Sequence, residues 1–167
     1  HSLPRNVTPV LLHAKMIEIF ADGYSNPNPG VGGWGFVVIE NGKNVIEKSG
    51  GFQLTTSNRM ELIAVINGIE AVERSEMTVY SDSEYVVLGI MAGWAKKWRK
   101  NCWTRKSRKG RKPVINPDLW KELLSLCEIR KAKLVWVRGH VGHVWYEYAD
   151  ALALIGSQEN NLPVDEG

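Results

Sequence analysis

The chain has 167 residues, 44% of them hydrophobic and 23% charged, with a net charge of +3, which suits one globular domain with a full apolar core. No apolar run reaches the length needed to span a bilayer, and His1 to Leu12 lacks the basic start and apolar stretch of a secretory signal. Cys102 and Cys127 make neither a disulfide framework nor a metal-type Cys/His spacing, so a reducing, cytoplasmic setting is expected.

Residues 1–14 read as a processed end, a remnant or a loose arm ahead of a domain over 15–156. "MIEIFA" (Met16 to Ala21) predicts a strand, ended by Asp22 and Gly23. "GYSNPNPGVGG" reads as a Gly/Pro/Asn loop. "WGFVVIE" and "KNVIEKSGGFQL" flank Asn41-Gly42, a strong turn signal, and predict a hairpin. "TTSNRMELIAVINGIEAVER" predicts a helix capped by Asn58, with Glu61 three residues on as in a capping box. "MTVYS" is a short strand closed by Asp82. "SEYVVLGIMAGWAKKW" is helical, and Asn116-Pro117-Asp118 starts a further helix that runs to about Ile129. "AKLVWVRG" is a strand, "YEYADALALIGSQ" a helix, and "ENNLPVDEG" the frayed end of a tail over 157–167. Three strands, helix, strand, helices, strand, helix: the order predicts an α/β fold with a five-stranded mixed sheet flanked by helices.

Charge is distributed unevenly. Lys96 to Lys112 holds 10 of the 21 basic residues and none of the 18 acidic ones, so the rest of the chain has 11 basic against 18 acidic, a net of −7. Such a run is ordinarily a solvated face or a disordered tail. This one is internal and contains Trp94, Trp98 and Trp103, indoles that are costly to expose. Trp94 and Trp98 share a helical face. A basic helix and loop docked on an acidic body points to a polyanion partner.

Four acids have weak surface explanations. Asp22 and Asp82 each follow a short apolar strand, the end of an α/β sheet where ligands bind. Glu61 stands among Met60, Leu62, Ile63 and Ala64, and its plainer role is the capping box. Asp150 lies in "YADALAL" near the start of the last helix, where its plainer role is to complement the helix dipole. Converging carboxylates repel and resist ionisation. A hard divalent cation resolves that, and two such ions serve phosphodiester hydrolysis.

"FADGYSNPNPGVGGWG", "TTSNRMELIAVINGIEA", "YSDSEYV", "WVRGHVGH" and "ADALA" together strongly resemble ribonuclease H type 1 in its bacterial form, over about Met16 to Ile155. The resemblance implies a ribonuclease H-like fold with a basic handle at about 94–115. It implies an endoribonuclease that cuts only the RNA strand of RNA/DNA hybrids and leaves 5′-phosphate and 3′-hydroxyl ends. Asp22, Glu61, Asp82 and Asp150 match its metal positions, for Mg2+ with Mn2+ as a substitute. His140 matches its catalytic-loop histidine; apart from the resemblance, His140 and His143 read as ordinary exposed loop histidines. Asn28, Thr56, Ser57 and Asn58 fall at hybrid-contacting positions. Trp94, Trp98 and Trp103 with Lys96, Lys97, Arg99, Lys100, Arg105 and Lys106 would grip the DNA strand. A monomer without membrane contact is expected. A non-catalytic hybrid-binding module and another nuclease of the wider superfamily are the alternatives.

Two departures stand out. Tyr146 takes a place where that family commonly has Asn, which predicts altered geometry of the His140 loop and altered turnover while the metal site need not change. Glu84 stands where bacterial relatives carry Gln and adds negative charge near the substrate, which weakens hybrid binding or alters metal preference.

Overall fold

The computed structural model describes residues 16–74, 76–138 and 142–167. The N-terminal arm expected for 1–14 and the candidate His140 lie outside the described residues. Strand β1 (Ile17–Ser25) pairs antiparallel with β2 (Gly30–Glu40), which pairs antiparallel with β3 (Lys43–Thr55). Helix α1 (Ser57–Glu70) leads to β4 (Met77–Ser81), parallel to β1. Helices α2 (Glu84–Met91) and α3 (Trp94–Lys100) follow, then a small hairpin of β5 (Thr104–Ser107) and β6 (Gly110–Pro113). Helix α4 (Pro117–Arg130), strand β7 (Ala132–Trp136) and helix α5 (Val144–Ser157) complete the order. The main sheet runs β3-β2-β1-β4-β7, five-stranded and mixed as expected. No helix of the described residues is long and apolar enough to cross a membrane.

Period-two alternation in β1 and β2 builds two apolar layers. Ile17, Ile19, Ala21, Phe36 and Val38 face one way, against Leu62, Val65 and Ile69 of α1 and, further out, Trp120 and Leu123 of α4. Phe20, Val37 and Ile39 face the other way, against Tyr146 and Ala149 of α5. The Asn41-Gly42 turn has positive φ at both residues (51° and 84°), the geometry of a tight two-residue hairpin.

Several expectations are corrected. β1 does not stop before Asp22 but runs through it to Ser25, because Asp22, Gly23, Tyr24 and Ser25 all find partners on β2. The expected glycine loop shrinks to residues 26–29, since Gly23, Gly32 and Gly33 are ladder residues. The single helix expected after Asp82 is two, broken at Gly93, whose φ of 82° no right-handed helix accommodates. The basic loop carries its own two-stranded hairpin, with Arg105 opposite Lys112 and Lys106 opposite Arg111.

The C-terminal segment is docked rather than frayed. The Gln53 backbone N–H donates to Pro163 O at 2.9 Å, and its side chain to Leu162 O at 2.7 Å. Asp165 accepts from Thr55 Oγ1 at 2.6 Å and from Arg59 Nε at 2.8 Å and Nη2 at 3.0 Å. The buried Arg59 also donates to Asp118 at 2.8 and 3.1 Å. Asp118, chiefly through Arg59, and Asp165, despite burial, both sit below the usual carboxylate range.

Candidate active site

In the parallel pair β1–β4, Phe20 lies opposite Tyr80. Two residues further along each chain, one full pleat on, stand Asp22 and Asp82. Glu61 comes from α1, whose backbone lies directly against Gly23: a Cβ there would stand 2.6 Å from the Glu61 amide nitrogen. Glycine beside Asp22 is therefore what lets the helix approach the strand. Asp22, Glu61 and Asp82 each present one carboxylate oxygen, and these oxygens lie within 4.8 Å of one another.

Helix α1 is capped by Thr56, which accepts from the Arg59 N–H at 3.2 Å, and not by Asn58. Glu61 is therefore two residues too deep to close a capping box, and that plainer role lapses. Its Oε1 is buried and finds no hydrogen-bond partner. Asp150 stands in the second turn of α5, beyond the reach of a helix-dipole role. It neighbours Asp22 closely enough to share a hydrogen bond, on the exposed side of the cluster and outside the tight group of three.

The electrostatics follow from this crowding. Asp22 is 4% exposed, and burial, a shared hydrogen bond with Asp150 and the charge of Asp82 push its carboxyl up to about 8. Burial and then the charges of Asp22 and Asp82 push Glu61 well above the usual carboxylate range. Three oxygens so placed, one of them buried without a donor, suit a divalent cation: hard cations take oxygen ligands, and their charge removes the repulsion.

The sequence reading left Tyr146 out of this site, and the structure puts it in. Its hydroxyl donates to Asp22 Oδ1 at 2.8 Å and accepts from the Asp82 backbone N–H at 3.3 Å. The Asn-to-Tyr departure therefore bears on the acids themselves. The available signal was spacing, since Tyr146 precedes Asp150 by four residues and shares its helical face. Trp136 was also missed; its indole N–H donates to the Asp82 carbonyl at 3.0 Å. His143 is not an ordinary exposed histidine: its ring packs on Phe20 at 4.9 Å, and its Nδ1 is buried without a partner.

The candidate substrate-contacting residues divide in two. Asn28 Oδ1 accepts from the Ser57 N–H at 3.1 Å and Ser25 Oγ at 3.0 Å, so the loop after β1 docks on the start of α1. Asn28, Thr56 and Ser57 are thereby gathered at one place, with Asn58 exposed beside them. In the handle, Trp98 packs edge-on against Trp120 with centroids 5.4 Å apart, and Trp103 is half-buried under the Lys121 ammonium. Trp94 is the open indole, 41% exposed. Arg99 is bound by both nitrogens to Glu128, at 2.8 and 2.9 Å. Lys96, Lys97, Lys100, Arg105 and Lys106 are exposed. Trp94, Lys97, Trp98, Thr104, Arg105, Lys106 and Arg111 line a cleft of about 530 Å3. Glu84 is exposed in the first turn of α2.

Known proteins agree with this architecture. Residues 14–158 match the family model described as RNase H. The chain is similar to "Ribonuclease H" of Rippkaea orientalis, 48% identical over 153 residues and 91% of each chain. It is 47% identical to "Ribonuclease H" of Desulforamulus reducens, over 90% of this chain and 93% of that one. Among solved structures it resembles LC9-RNase H1, a type 1 RNase H with the type 2 active-site motif, at 30% identity and a TM-score of 0.72, covering 92% of this chain and 79% of that one. A match over nearly the whole domain, at such identity, makes this chain a member of the RNase H family.

Proposed function

We propose that this chain hydrolyses the RNA strand of RNA/DNA hybrids, leaving 5′-phosphate and 3′-hydroxyl ends, with Mg2+ as its cation and Mn2+ as a substitute. One observation carries the reading: three carboxylates from β1, α1 and the end of β4 converge within 4.8 Å, with a buried, unpartnered oxygen on Glu61. Crowding acids in this way costs stability unless a cation is there to be bound. Asp22, Glu61 and Asp82 would hold it, with Asp150 at the exposed edge. When bound, Mg2+ supplies the positive charge that activates water and stabilises the leaving oxygen. The chain's own residues do the rest. His140, which precedes α5 in the sequence, moves protons or helps products leave. Asn28, Thr56, Ser57 and Asn58 offer small polar groups suited to the 2′-hydroxyl, which distinguishes RNA from DNA. The exposed lysines and arginines of the handle neutralise phosphates without reading sequence, and Trp94 offers a stacking face. Trp98 and Trp103 serve that surface by anchoring it to the body. The enzyme works as a monomer in the reducing cytoplasm, where its two unpaired cysteines are at home.

The test uses an end-labelled RNA strand paired to DNA, paired to RNA, or alone, each with Mg2+, Mn2+ or EDTA. Cutting of the hybrid's RNA only, dependent on metal and lost in Glu61→Gln, is the expected result. Binding without cutting in either metal would make the chain a hybrid-binding module.

A further inference from the structure

Among the groups around the acids, the Tyr146 hydroxyl has no role in the chemistry above. Its ring is fully buried, packed with Phe20, Val37, Ile39 and Ala149. A phenylalanine would fill the same space, and a buried hydroxyl costs free energy unless it is bonded. Here the hydroxyl bonds to the site itself, to the carboxylate of β1 and to the peptide that carries the acid after β4. A single oxygen thus ties β1, which supplies Asp22, to the peptide just beyond β4 that supplies Asp82. It is delivered by α5, one helical turn before Asp150.

We propose that Tyr146 is a positioning residue of the cation site, whose hydroxyl holds Asp22 Oδ1 against the Asp82 amide and so biases Asp22 toward one-oxygen ligation. This rests on the reading that the acidic cluster binds a divalent cation. With Oδ1 engaged, a cation drawn to Asp22 meets only one oxygen that Tyr146 does not hold. Small octahedral cations such as Mg2+ and Mn2+ accept single-oxygen ligation, whereas Ca2+ readily takes both oxygens of a carboxylate. Tyr146 therefore favours Mn2+ and Mg2+ over Ca2+, a consequence that packing alone would not produce.

The test is calorimetric titration of the metal-free protein with Mn2+ and with Ca2+, for the parent chain, Tyr146→Phe and Phe20→Leu. Removing the hydroxyl should weaken Mn2+ binding about 10-fold, as losing an outer-shell partner does elsewhere, and should weaken Ca2+ binding less. Phe20→Leu disturbs the same apolar cluster but keeps the hydroxyl, so it should lower the melting temperature and leave the Mn2+/Ca2+ ratio unchanged. A Tyr146→Phe protein with the parental Mn2+ affinity and ratio overturns the proposal, as does a Phe20→Leu protein whose ratio shifts equally. A parent chain that binds neither cation removes the cluster reading itself, and this inference with it. One measurement needs no variant: the Tyr146 13Cζ resonance of the parent should move with Mg2+ occupancy, and a resonance indifferent to Mg2+ also overturns the proposal.

Discussion

Asp22→Asn should make the metal-free protein more stable while removing its response to Mg2+. The reason lies in the acids' burial. Asp22 ordinarily titrates at 3.8 and is pushed up to about 8 in the fold. Between those values the folded protein holds a proton that the unfolded chain has released, so stability falls as pH rises through the window. For an isolated group the loss at neutral pH is roughly 4 kcal/mol. Glu61 beside it is pushed up as well, so the two carboxyls do not titrate independently and we take about half, ~2 kcal/mol. In a domain of this size that is a rise in Tm of roughly 4–8 °C for the variant. Asparagine keeps an oxygen for the Tyr146 hydroxyl, so the swap removes charge more than packing. The assay is thermal melting of parent and variant in EDTA from about pH 5 to about pH 8, then with Mg2+. The gap should be small at the acid end and widest at the alkaline end. Mg2+ should raise the parent's Tm and leave the variant's almost unmoved. A variant no more stable than the parent at the alkaline end, without metal, would refute the electrostatic account of this site.

Other outcomes are expected elsewhere in the molecule. Gly23→Ala should cost about 1–3 kcal/mol in urea unfolding and reduce cation affinity, because the new methyl group pushes α1 and Glu61 away from β1; a neutral substitution would mean that the helix has room to spare. Asp165→Asn should cost roughly 1–3 kcal/mol, since it strips a charged partner from the buried Arg59. The Asp165 contribution is held above the ordinary carboxylate range and lost as pH falls through its depressed folded value, so the variant and parent should converge in acid. Neutralising Arg105, Lys106, Arg108 and Lys109 together should raise KM for hybrid and flatten its dependence on salt, with a slope smaller by up to roughly one unit per lost phosphate contact; an unchanged slope would return the basic run to a merely solvated face.

Much of this protein is legible along the chain because the signals are local. Alternation marks β1, β2 and β4, Asn41-Gly42 marks the hairpin, and Asn116-Pro117 marks the start of α4, all through interactions a few residues long. The same holds for Asp22, Glu61 and Asp82, whose neighbours make a surface role a poor explanation. What tertiary structure alone decided is where each chain segment meets another. β1 continues through Asp22 because β2 supplies partners there, a pairing with no signature in "DGYS" itself. The C-terminal segment reads as a frayed tail, yet its carboxylate at Asp165 meets Arg59, 106 residues away in sequence. Trp98 and Trp103 look like parts of a binding face until Trp120 and Lys121 arrive to pack on them. Tyr146 shows the limit most clearly. Its sequence neighbours suggest a loop effect, and only the meeting of α5 with β1 and the end of β4 places its hydroxyl between two acids 124 and 64 residues away. Hydrogen bonds and desolvation act through space, and their partners are set by the packing of the whole sheet.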